Sequence, residues 1–132
     1  MSNGKKYVLV ADDDASMIRF VSAVVAKEGL EIESAMDGKA AYKSLMSGKD
    51  FVCAVIDIRM PYIEGTELVR FMQKDERLAA IPVIMMTGEH ESKYAAAGRS
   101  AGAVAFLPKP FTNHQLQLVL RTLIHREDSP TS

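Results

Sequence analysis

The sequence predicts an α/β fold: a five-stranded parallel sheet, doubly wound, with helices on both faces. Three observations carry that expectation. Residues 7–11, 51–56 and 82–86 are short continuous apolar runs, the pattern of strands covered on both sides. Between them, apolar residues recur at helical spacing. The two kinds of segment alternate along the chain without a repeat, linker or low-complexity tract, which implies βαβ crossovers.

The first strand is 7–11. Met17, Phe20, Val21, Val24 and Val25 then form the inner face of a helix, and Gly29 stands where that helix would stop. Residues 31–35 alternate and are short enough for a strand. Asp37 can cap a helix that turns Ala41 and Leu45 inward, with Gly48 at its end. After the strand at 51–56, Leu68, Phe71 and Met72 line a third helix. The strand at 82–86 opens on Pro82, which is tolerated at a first position. Residues 91–97 read as a helix whose inner face offers mainly alanine and Tyr94, so it packs weakly. Gly102 precedes a last strand at 103–107. Thr112 and Gln115 make a capping-box pattern ahead of Leu116, Val119, Leu120, Leu123 and Ile124.

A chain of 132 residues, 48% of them hydrophobic, suits one domain. Its expected extent is 6–126, with 1–5 as a disordered N-terminus and 127–132 as a flexible tail. Cys53 is the single cysteine, so no intramolecular disulfide forms and a reducing, cytoplasmic setting is expected. Sixteen basic and seventeen acidic side chains nearly cancel, which argues against bulk attraction to nucleic acid or to anionic membrane. The longest apolar run, 79–86, falls far short of the ~20 residues of a spanning helix, and no signal-peptide core comes after Met1.

Function is legible in the residues at the carboxyl end of each strand. After the first come Asp12, Asp13 and Asp14; after the third, Asp57; after the fourth, Thr87; after the fifth, Lys109. In an open parallel sheet, ligands bind outside the carboxyl ends of the strands. Carboxylates gathered there repel one another unless a cation joins them. A hard divalent ion with oxygen ligands is the natural partner, and Mg²⁺ is usual where phosphate is handled. Metal, hydroxyl and ammonium around one carboxylate suit phosphoryl transfer, with Asp57 as nucleophile. Singly, each residue has a plainer role: Asp14 and Ser16 as helix cap, Lys109 as a solvated lysine, Thr87 as a turn residue. Their joint placement reverses that preference.

The segments Val8-Leu9-Val10-Ala11-Asp12-Asp13, Ile56-Asp57-Ile58-Arg59-Met60-Pro61 with Gly65, Met86-Thr87-Gly88 and Phe106-Leu107-Pro108-Lys109-Pro110-Phe111 resemble those of response-regulator receiver domains, over essentially the whole chain. The resemblance implies a CheY-like, flavodoxin-like (βα)5 fold with strand order 2-1-3-4-5. It implies that Asp57 takes a phosphoryl group from a histidine kinase or phosphotransfer protein. Asp13, Asp57 and the backbone carbonyl of Arg59 would bind Mg²⁺, while Asp12 orients metal and water. Thr87 would donate to a phosphoryl oxygen, and Lys109 would pair with carboxylate or phosphoryl, aimed inward by a cis Lys109-Pro110 bond.

Thr87 and Phe106 occupy the family's switch positions, and the 91–126 face would carry output to a protein target. Arg59 and Glu89 match its lifetime-tuning positions. Their opposite charges would bridge over the site and hinder attacking water. A monomer or a phosphorylation-dependent homodimer is implied, without direct nucleic-acid or membrane contact, and with slow self-dephosphorylation rather than enzymatic turnover. Methionine at the start and the ragged tail favour a stand-alone protein. Pro108 departs from the pattern by removing a backbone donor, so the last strand is expected to end early or sit unevenly.

Three alternatives compete. A flavodoxin-like cofactor binder would need a Ser/Thr/Gly-rich phosphate loop where Asp12-Asp13-Asp14 stand. A hydrolase of the haloacid dehalogenase type needs a second acid two residues after its nucleophile, and Arg59 is there. An unphosphorylated docking module would not need the complete residue set. His90, His114 and His125 lack metal-ligand spacing, and Cys53 reads as a buried strand residue.

Overall fold

The computed structural model describes residues 4–88, 102 and 105–124. Five strands form one parallel sheet: β1 (Tyr7–Ala11), β2 (Glu31–Ala35), β3 (Phe51–Asp57), β4 (Val83–Thr87) and β5 (Ala105–Pro108), in the order β2-β1-β3-β4-β5. The helices are α1 (Ala15–Lys27), α2 (Gly38–Leu45), α3 (Gly65–Gln73), the single turn α4 (Glu76–Ala79) and α5 (Asn113–Ile124).

The continuous apolar runs are explained by two cores, one on each face of the sheet. Leu9, Ala54, Ile56, Val83 and Met85 point to the face covered by α2, α3 and α4, where Ala41, Leu45, Leu68, Met72 and Leu78 meet them. Val8, Val10, Cys53, Val55, Ile84 and Met86 point to the other, against Val21, Val24 and Val25 of α1 and Leu116, Leu120 and Leu123 of α5. Because successive strand residues face opposite ways, a strand buried on both sides has no polar position to spare. β2, at the sheet edge, keeps Glu31 exposed and Glu33 half-buried.

Helix boundaries reflect local chemistry. The Asp14 carboxylate caps α1 by accepting from the Ser16 amide at 2.9 Å, and Asp37 caps α2 through the Ala40 amide at 2.8 Å. Thr112 and Gln115 form the reciprocal box, at 2.8 and 3.0 Å. Gly29 adopts φ 78° just past α1, a conformation that glycine reaches without strain.

Two expectations need correction, and one element was not foreseen. Phe71 does not line the inner face of α3: it is exposed and meets Tyr42 at the surface, while Val69 takes a buried place beside Leu68 and Met72. Pro108 does not cut β5 short. It pairs in register with Thr87, and the Lys109 amide continues the ladder to the Thr87 carbonyl at 2.6 Å. Since alternate residues turn their amides to opposite sides, the missing donor of Pro108 falls on the open edge of the sheet, where it costs nothing in pairing. The turn α4, capped by Asp75, was not expected; four residues carry no periodicity to detect. The helix read at 91–97 and the start of the last strand at 103–104 lie outside the described residues, as do His90 and His125.

Candidate functional site

The strand order reverses between β1 and β3, since β2 lies beyond β1 and β4 beyond β3. Ala11 pairs with Ile56, so the next residues, Asp12 and Asp57, leave the sheet side by side at the crevice where α/β sheets bind ligands. The register places Asp57 against Met86, and Thr87 ends β4 one residue further. β5 then delivers Lys109. Each polar residue is therefore the first, or nearly the first, that its strand presents beyond the apolar core.

Asp12 is fully buried. One of its carboxylate oxygens accepts from the Asp14 amide at 2.9 Å, and the other accepts from Lys109 Nζ at 3.1 Å. Lys109 Nζ also stands 3.4 Å from Asp57 Oδ1. Burial alone would pull the Lys109 ammonium down, but the charges of Asp57 and Asp12 outweigh it and hold the group above the ordinary lysine value. It stays cationic. Asp13 is exposed at the mouth, and Asp12, Asp13 and Asp57 each bring a carboxylate oxygen to within 4.8 Å of the others.

Three carboxylates against one ammonium leave two negative charges in excess. The donor set is all carboxylate oxygen, which suits a hard divalent cation such as Mg²⁺ rather than zinc. The residues present fit such an ion, with the exposed Asp13 on the open side.

The lysine peptide to Pro110 is cis, as the resemblance implied. Gly65, at the end of the loop leaving β3, is required by close approach: a Cβ there would collide with the Asp57 carbonyl oxygen, and the Gly65 amide donates to the Ile58 carbonyl at 3.0 Å. Phe106 is half-buried and pairs with Met85, packing on the same core face as that residue; Thr87, two residues on from Met85, shares that face. Arg59 is exposed beside the site, while Glu89 lies outside the described residues. Asp14 serves as a helix cap and is not among the gathered carboxylates. Held by the Ser16 side chain and amide, its carboxyl lies below the usual value.

The response regulator receiver domain family matches residues 8–121. The chain belongs to that family. As a receiver domain it is a signalling phosphoacceptor of two-component systems, not an enzyme in the usual sense. It is 30% identical to the transcriptional regulatory protein FixJ of Bradyrhizobium diazoefficiens, over 94% of this chain and 59% of that protein. It is 28% identical to a CpxR homologue of Haemophilus influenzae, over 95% and 53%. The receiver domain thus spans little more than half the length of these relatives.

Among solved structures, the Vibrio cholerae chemotaxis response regulator CheY4 superposes with a TM-score of 0.83 at 28% identity, over 90% of this chain and 98% of the other. The receiver domain of the Francisella response regulator 1452 gives 0.81 at 29%, over 92% and 98%. No described helix is long and apolar enough to cross a membrane.

Proposed function

We propose that Asp57 of this receiver domain accepts a phosphoryl group from the phosphohistidine of a cognate kinase or phosphotransfer protein in the cytoplasm. A carboxylate oxygen of Asp57 attacks phosphorus, the N–P bond breaks, and the donor imidazole keeps the electron pair and is protonated. Bound Mg²⁺ would neutralise the equatorial oxygens as charge develops there. Asp13, Asp57 and the Arg59 carbonyl would hold that ion, and the buried Asp12, engaged by Lys109 and the Asp14 amide, would help orient the metal and its water. Lys109 remains charged through the transfer and meets the new phosphoryl group.

Thr87 then donates its hydroxyl to a phosphoryl oxygen. Phe106, on the same face of the sheet, fills the space that Thr87 leaves, and the 91–126 face passes the change to a protein target. The protein acts as a monomer or as a phosphorylation-dependent homodimer. One observation supports the proposal above all: Lys109 bridges Asp12 and Asp57 at the crevice while Asp13 stays open to solvent.

Intact mass after incubation with acetyl phosphate and Mg²⁺ tests it. Wild type is expected to gain one phosphoryl group and Asp57→Ala none. An equal gain by both would move the site elsewhere, and no gain by wild type would remove the function.

A further inference from the structure

Residues 58–64 join β3 to α3 and carry Arg59, whose carbonyl belongs to the proposed cation site. Hydrogen bonds hold the start of this loop: the Ile58 amide donates to the Met86 carbonyl at 3.1 Å, and the Ile58 carbonyl accepts from the Gly65 amide at 3.0 Å. Its far part rests on another element, the first turn of α2, which touches residues 61, 62 and 63 in succession. The Gly38 amide donates to the Pro61 carbonyl at 3.3 Å, Lys39 Nζ stands 5.0 Å from the centroid of the Tyr62 ring, and Gly38 lies against Ile63. The first amides of a helix have no partner within it. Because the Asp37 carboxylate takes the Ala40 amide, the Gly38 amide is left to donate outward.

Room, not conformation, requires a glycine at position 38. Its φ lies outside the left-handed region, and alanine is the better helix former. A Cβ there would collide with the Ile63 carbonyl oxygen and the Ile63 Cβ. Ile63 packs against the same core as Leu68 and Met85, so the loop cannot rise to make space without lifting that side chain from the core. Residues 61–63 form a γ-turn, closed by the Ile63 amide on the Pro61 carbonyl at 2.9 Å, with Tyr62 at φ 70°. This is the rare form of that turn, and a bulky side chain seldom takes it. The Tyr62 side chain is 77% exposed, so its own burial does not hold the turn; the contacts of its neighbours with α2 and the core do.

Given the Mg²⁺ site proposed for Asp13, Asp57 and Arg59, on which this reading rests, we propose that Gly38 is a positioning residue for the cation. The first turn of α2 sets the height of residues 61–63, and through them the reach of the Arg59 carbonyl. Arg59 and Met60 span the short gap between Ile58, tied to β4 and α3, and Pro61, tied to α2. Met60 is itself buried, so a displacement of Pro61 finds no slack before it reaches Arg59. Gly38 touches neither the ion nor the phosphoryl group. Its effect falls on how tightly the ion is held, not on the chemistry once the ion is in place.

The test is the Mg²⁺ dissociation constant of the full chain, read from amide NMR shifts across a Mg²⁺ titration, for wild type, Gly38→Ala, Tyr62→Val, Tyr62→Gly and Gly29→Ala. Gly38→Ala should weaken Mg²⁺ binding about tenfold, while its phosphoryl uptake from acetyl phosphate returns to the wild-type rate at saturating Mg²⁺. Tyr62→Val, whose branched side chain resists a positive φ, should weaken Mg²⁺ binding too; Tyr62→Gly, which takes that φ freely, should not. Gly29→Ala controls for lost stability. Its φ of 78° also strains a side chain, but it lies just past α1 at the opposite end of the sheet, with open space for a Cβ, and it should bind Mg²⁺ as wild type does. Wild-type affinity in Gly38→Ala, an equal loss in Gly29→Ala, or a rate still low at saturating Mg²⁺ would overturn the inference and leave the site standing. Equal affinity of the two Tyr62 variants would do the same, even if Gly38→Ala did not fold. A wild type that binds no Mg²⁺ would overturn the site and the inference together.

Discussion

Lys109 links the chemistry of the crevice to stability. Its folded value lies above that of a free lysine, so its pairing stabilises the fold fully below the unfolded value of 10.5 and is lost as pH rises through the folded one. Direct NMR titration of the ammonium should show a midpoint above 10.5; a midpoint below it would mean that burial, not the carboxylates, governs the site. Cys53 behaves in the opposite sense. Burial pushes its thiol up to about 12, so it should resist alkylation at neutral pH until the protein unfolds. Labelling as fast as in a free thiol would contradict its burial on the sheet. Arg59→Asn and Glu89→Ala should each speed loss of the aspartyl phosphate, read by the decay of the intact-mass shift. Decay at the wild-type rate or slower would exclude a charge bridge over the site.

At the scale of elements, the sequence exposed what burial and capping dictate and hid what depends on neighbours. The runs at 7–11, 51–56 and 82–86 were legible because strands covered on both faces cannot alternate, and Asp37, Thr112 and Gln115 were legible because orphan amides need acceptors. Phe71 was misplaced because its spacing from Leu68 and Met72 fits the inner face of α3. Only the position of Tyr42 on α2 shows that a surface ring pair was available. Pro108 was misjudged because its cost depends on which side its nitrogen faces, a matter of strand order and not of residue type.

Gly65 joins element to site. Gly65→Ala sets a Cβ against the Asp57 carbonyl and within 2.9 Å of Met85 Cε, so it should cost about 1–3 kcal/mol in chemical denaturation and slow phosphoryl uptake as well. An unchanged rate would separate the glycine from the site. Thr112→Ala removes only a cap and should cost about 1 kcal/mol, leaving uptake intact; a loss of uptake would show that α5 is coupled to the site.

For the whole molecule, the site was legible because strand ends, unlike surface loops, gather in space by topology alone. Asp12, Asp57, Thr87 and Lys109 needed only a parallel sheet to meet, and the structure adds who holds whom. Asp14, which the sequence left open between cap and ligand, is a cap; Asp12, equally acidic, is buried and shared between Lys109 and a backbone amide. Neither distinction is written in residue type.

Two excess negative charges at a sheet rim should make the metal-free protein less stable than its core allows, and a divalent ion should relieve it. The most direct measurement is the thermal midpoint across a Mg²⁺ titration, for wild type and Asp13→Asn. Wild type should rise with Mg²⁺ and saturate; Asp13→Asn should start higher without metal and respond weakly. A wild-type midpoint indifferent to Mg²⁺, or an Asp13→Asn that starts lower and rises as steeply, would contradict the crowding of carboxylates as the source of the site's chemistry.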